Sequence, residues 1–115
     1  MKSPQRKAVG ILLLALAMGH EAIALDMVGP KKGERCIQGI ATLGGAGTAE
    51  PGDNVVVEIM SGGIVQARGV VRANPRGQWA INLKRPPAGW FLGEATITAR
   101  VGKRQVSRTI TIIPD

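Results

Sequence analysis

Arginine is the residue type in this chain best placed for chemistry. Arg68 and Arg72 are four residues apart, and so are Arg100, Arg104 and Arg108 in turn. On an extended strand, residues an even number apart share a face. A guanidinium fork matches the oxygens of phosphate, sulfate or carboxylate groups. The chemistry on offer is therefore anion binding. Bond making has less to work with. His20 is the only histidine, and it lies in a segment read below as a removable leader. Without it, no Ser-His-Asp or Cys-His arrangement and no histidine-based zinc site can be assembled. Asp26, Glu34, Glu50, Asp53, Glu58, Glu94 and Asp115 are scattered, with no pair in an evident acid–base context. The chain is read as a non-enzyme with no catalytic residues and no cofactor.

Three further features offer weaker chemistry. Glu50 and Asp53 share a turn with oxygen ligands for calcium, but such sites recruit more carboxylates. No metal is assigned, and Asp53 is read as stabilising its own turn. Cys36 is the only cysteine, which excludes an intrachain disulfide. It opens an apolar segment, where burial is the expectation and pairing with another chain the alternative. Trp90 and Phe91 are neighbours in a Pro-Gly loop and cannot both take one side of the chain. They are expected to form an aromatic loop with at least one ring exposed for binding, the other capping the core.

The elements that must position these residues are short β-branched runs separated by turn residues, the pattern of an all-β sandwich or barrel. Strands are expected over Cys36–Leu43, Asn54–Met60, Ile64–Arg72, Gln78–Lys84, Glu94–Val101 and Gln105–Ile113. Gly39 suggests a bulge or a close backbone contact in the first. The Gly-rich stretch 44–53 and the Pro-rich stretch 85–93 read as loops. In Gln78–Lys84 the alternation is clean, with Trp79, Ile81 and Leu83 inward, so Trp79 is expected to be a core plug. The last strand is less regular, because Arg108 shares parity with Val106, Ile110 and Ile112. Either Arg108 sits near an edge or a bulge shifts the phase.

The N-terminus carries an address. Lys2, Arg6 and Lys7 precede an uncharged apolar run from Ala8 to Met18, and Ala22-Ile23-Ala24 supplies a small-x-small cleavage pattern. This is the layout of a signal peptide over residues 1–24, with a helix expected over 8–18. The run is too short for the roughly 20 apolar residues of a membrane span, so no span is expected after cleavage. The mature chain is expected to have 91 residues (115 less 24), enough for one domain. Residues 25–34 read as a flexible lead-in and 35–115 as the folded domain. Without Lys2, Arg6, Lys7 and Glu21, the basic and acidic counts fall from 15 and 8 to 12 and 7, a net of +5. A basic exported protein is attracted to anionic surfaces.

The stretch from Ile37 to Ile113 resembles the bacterial immunoglobulin-like domains repeated in surface adhesins. The resemblance rests on Gly39-Ile40-Ala41, on Gly47–Asp53 followed by Val55–Ile59, on Gly77–Leu83, and on the threonine-alternating Ala95–Ala99. It implies an immunoglobulin-like antiparallel sandwich of about six or seven strands. It also implies that the third expected strand lies beside the penultimate one and the last beside that. Arg68, Arg72, Arg100, Arg104 and Arg108 would then converge on one polyanion-binding sheet face. Two departures stand out: the domain is single where adhesins carry tandem copies, and the loop over 85–93 is elaborate. The resulting expectation is an exported binding module, periplasmic or at the cell surface. Its partner would be a protein or an anionic envelope component such as acidic glycan or lipid headgroups. Nucleic acid is disfavoured, because the basic face lacks interleaved aromatics. The alternative is a structural subunit that self-associates through strand edges.

The leader makes a direct prediction. Protein recovered after export should begin at Leu25, as read by intact-mass spectrometry. A mass that retains residues 1–24 would mean a membrane-anchored chain.

Overall fold

The computed structural model describes residues 23–115; the helix expected over residues 8–18 lies outside the described residues. Eight strands follow in order: β1 Asp26–Gly29, β2 Arg35–Ile37, β3 Thr42–Thr48, β4 Asn54–Ser61, β5 Ile64–Arg72, β6 Gln78–Lys84, β7 Gly93–Val101 and β8 Arg104–Ile113. They form a three-stranded sheet, β1-β3-β6, and a five-stranded sheet, β2-β8-β7-β4-β5. All neighbours are antiparallel except β2, which runs parallel to β8. The sheets face each other with β1 over β8, β3 over β7 and β6 over β5. Among the described residues there is no helix.

Alternation explains the core. In β4, Val55, Val57 and Ile59 are fully buried, while Asn54, Val56, Glu58 and Met60 turn outward. Their partners in β7, Ala99 and Ile97, are buried too, as are Ile110 and Ile112 of β8. From the small sheet come Met27, Leu43, Trp79 and Leu83, with Ile81 packed partly buried against them. Trp79 is 3% exposed, and its Nε1 donates to the Thr48 carbonyl at 3.0 Å. The plug therefore carries no unsatisfied polar atom.

Three expectations need correction. Residues 25–34 are not simply a flexible lead-in. Asp26–Gly29 is a strand of the small sheet, and Met27 is 1% exposed. One buried side chain and a ladder to β3 hold a segment whose Gly, Pro and Lys content reads as loop. The strand expected over Cys36–Leu43 is two strands, β2 and β3, in different sheets. Gly39 lies in the crossing between them, where its N–H donates to Asp115 Oδ1. The stretch from Gly44 to Thr48, expected as loop, is strand. Its glycines serve close approach: a Cβ on Gly44 would strike the Ile81 carbonyl oxygen, and one on Gly47 would strike that of Asp26. The count is thus eight strands in place of six or seven.

Removing the Trp79 ring should leave a cavity that the flanking glycine-bare strand cannot fill. Trp79→Ala is expected to cost about 3–5 kcal/mol, read from the midpoint of a chemical denaturation curve. An unmoved midpoint would contradict its role in the core.

Candidate functional site

Three of the five arginines share one sheet face and two do not. Arg68 and Arg72 of β5 and Arg100 of β7 lie on the outer face of the large sheet, on the parity of Glu58 and Val56. β4 separates β5 from β7, so the third expected strand is an edge strand, not a neighbour of the penultimate one. Between the arginines stands Glu58. Its Oε2 is 3.2 Å from Arg68 Nε and its Oε1 3.4 Å from Arg100 Nη1. One half-buried carboxylate thus offsets two of the three cations on this face. Arg72 is exposed and, among the described residues, has no ion-pair partner.

Arg104 and Arg108 belong elsewhere. The β7–β8 hairpin sets Val101 opposite Arg104, Arg100 opposite Gln105 and Ile97 opposite Arg108. A four-residue spacing that crosses a tight hairpin does not preserve the face, so Arg104 and Arg108 take the core-facing parity. Arg104 leaves at the end of the strand, where its Nη2 meets Asp53 Oδ2 at 3.4 Å. Asp53 is thus an ion-pair partner. Its own turn is closed by the backbone, the Asp53 N–H donating to the Glu50 carbonyl at 3.0 Å; a side chain serves that purpose in the β5–β6 turn, where Asn74 Oδ1 accepts from the N–H groups of Arg76 and Gln78. Arg108 spans the two sheets. Its Nη2 donates to the Met27 carbonyl at 2.6 Å and lies 3.6 Å from Asp26 Oδ1. β8 keeps an unbroken register against β7, so Arg108 reaches a flank without any bulge.

The aromatic loop is also divided. Trp90 is fully buried, which removes it as an exposed contact. It closes the end of the sandwich beneath the crossing from β2 to β3. Its Nε1 donates to the Ile40 carbonyl at 2.8 Å, and Gln38 Nε2 donates to the Trp90 carbonyl at 2.9 Å. Phe91 faces outward at 43% exposure, beside Leu92 at 53%. Gln66 of β5 fixes their place: its Oε1 accepts from the Phe91 N–H at 2.7 Å, and its Nε2 donates to Ser61 Oγ. This brings Phe91 and Leu92 to the end of the β4–β5 hairpin, where Ile64 and Val65 are 56% and 45% exposed.

One feature escaped the sequence reading. A cleft of ≈ 380 Å³ opens at the flank of the sandwich, lined by Cys36, Leu43, Gly45, Ile97 and Ile110, with Glu34 and Pro30 on its rim. Gly29, Gly44 and Gly45 are among its lining residues. Glycine inside a strand was the available signal. Cys36 is a free, half-buried thiol. Burial pushes its pKa above the usual thiol value, and the nearby Glu34 carboxylate adds to the rise.

A scan against protein-family models gives no match, and a search of curated proteins gives none. Among the described residues, no group of three or more His, Cys, Asp or Glu side chains could hold a metal ion. Nor is any described helix long and apolar enough to cross a membrane.

The central position of Glu58 predicts how the outer face responds to charge. Glu58→Gln should release Arg68 and Arg100 and raise the salt needed to elute the protein from heparin. Stability should change by no more than about 1 kcal/mol, since exposed ion pairs contribute little. Unchanged elution would show that Glu58 does not mask the two arginines.

Proposed function

We propose that the chain is an exported, non-enzymatic immunoglobulin-like module that binds a polypeptide partner at the cell envelope. The order β5-β4-β7-β8 follows the C′-C-F-G order of immunoglobulin-type sandwiches, and β1-β3-β6 follows A-B-E. The observation that carries the binding reading is the apolar end of the β4–β5 hairpin. Ile64, Val65, Phe91 and Leu92 are all more than two-fifths exposed there, and Gln66 holds the loop against the strand. Exposed apolar side chains gathered at one end of a sandwich suit a protein partner. Binding of acidic glycan or lipid headgroups through an arginine face loses support, since Glu58 offsets two of the arginines and two more lie off that face.

Assembly through strand edges is the second reading. It draws on the length of β5, a nine-residue edge strand whose Val70 is 59% exposed, while Arg68 and Arg72 on the same strand count against pairing with a second copy of it.

A displayed peptide library selected on the wild-type domain and counter-selected on Ile64→Asp/Phe91→Asp tests the first reading. Peptides should enrich on wild type and lose at least about tenfold in affinity on the double variant, a loss of about 1.4 kcal/mol. Equal binding to both would refute it. Concentration-dependent sedimentation of the ligand-free protein would favour the second.

A further inference from the structure

The small sheet is incomplete on one flank. β1 pairs with Ala46, Gly47 and Thr48 of β3, with a register shift at Val28, and stops at Gly29. Pro30 follows, which has no N–H to donate and cannot extend the ladder. The chain then crosses to the large sheet and resumes as β2 beside β8, where Gly33 N–H donates to the Thr109 carbonyl. Among the described residues no strand lies against Thr42–Gly44 on the β1 side. The cleft opens beside this bare stretch. Its wall is apolar, from Leu43, Ile97, Ile110 and the Cys36 side chain, and its volume of ≈ 380 Å³ lies in the range of about 300–1,000 Å³ typical of ligand clefts.

We infer that this window is a strand-acceptor site for an extended apolar segment of another polypeptide, which continues the line of β1 along Thr42–Gly44 and lowers one side chain into the cleft. The chemistry of the site selects the occupant. A bare strand edge offers N–H and C=O groups at strand spacing, and only another backbone matches both. The apolar wall takes an aliphatic side chain, and alternate side chains of the incoming strand remain outside. Glu34 is the charged group lining the cleft, which disfavours an acidic segment and favours one with a cationic end. The inference rests on the reading of the chain as a polypeptide-binding module, but it uses a surface separate from the hairpin end.

Cys36 supplies the readout, because its thiol lines the cleft and is reached through it. The probe is a short blocked peptide of alternating Thr and Val ending in Lys, and the reagent is N-ethylmaleimide. At a peptide concentration about ten times its dissociation constant, alkylation of Cys36 should slow about tenfold. Amide hydrogen exchange at Thr42–Gly44 should slow with it. The same peptide N-methylated at alternate amides along its pairing edge should protect neither. Protection should persist in Ile64→Asp/Phe91→Asp, whatever becomes of partner binding at the hairpin end. The proposal is overturned if the peptide leaves alkylation and exchange unchanged, or if the N-methylated peptide or free indole protects as well. In the last case the cleft is a pocket for small apolar molecules. Loss of protection in the double variant overturns it as well, because the peptide would then sit at the hairpin end.

Discussion

The sandwich depends on how closely β3 lets its neighbours approach. At Gly44 and Gly47 a Cβ would collide with backbone carbonyls of β6 and β1 respectively. Any other residue at either position would push a strand away. At Gly45 the space that a side chain would take lies within 3.4 Å of the Trp79 ring. A bare central strand thus seats the largest side chain of the small sheet, and the Thr48 carbonyl beside it accepts the indole N–H. Glycine in a strand is costly in entropy, by roughly 0.5–1 kcal/mol relative to alanine. Here close packing of β1, β6 and Trp79 offsets that cost. Gly44 and Gly45 also line the flank cleft.

The second constraint is the double crossing of the chain between sheets, from β1 to β2 and back to β3. Segments that leave a sheet carry backbone groups that no ladder satisfies, and buried groups of this kind need partners. Long polar side chains supply them. Arg108 reaches across to the Met27 carbonyl, Trp90 donates to Ile40, Gln38 answers with a bond to the Trp90 carbonyl, and Arg85 Nη1 donates to the Gly39 carbonyl. Arg85, Arg108 and the larger loop aromatic are therefore committed to holding the crossings, and the strand before them, in place. This is why residues that look like binding groups in the sequence are largely spoken for in the fold.

The contrast also shows what a single sequence reveals. β6 was legible to its end residues, because Trp79, Ile81 and Leu83 alternate with polar partners. β4, β5, β7 and β8 were legible within one residue at either end, because their β-branched runs are bounded by turn residues. β1 was hidden because a strand of four residues with one inward apolar side chain carries no period. β3 was hidden because glycine usually reports a turn, and its role here depends on strands distant in sequence. The arginine cluster failed for a geometric reason. Face assignments hold along a strand, but the Gly102-Lys103 turn places Arg104 opposite Val101 and so moves it to the other face from Arg100. Trp90 and Phe91 could be told apart only by knowing that the β2–β3 crossing passes over one of them.

The edge of β5 and the window on β3 are not equivalent, and the difference bears on what each can accept. β5 has the devices that discourage edge pairing. Its register against β4 shifts between Ile59 and Met60, and Arg68 and Arg72 stand on it. A copy of itself laid antiparallel against it would bring like charges close, which is destabilising. The window on β3 has none of these defences: Thr42, Leu43 and Gly44 carry no charge, and there is no proline on that strand. An apolar wall lies beside it where β5 borders solvent. The geometry protects the long edge from indiscriminate pairing while leaving a short one open. A stretch of three residues is too brief to recruit a strand by backbone pairing alone, so specificity there has to come from the side chain that enters the cleft.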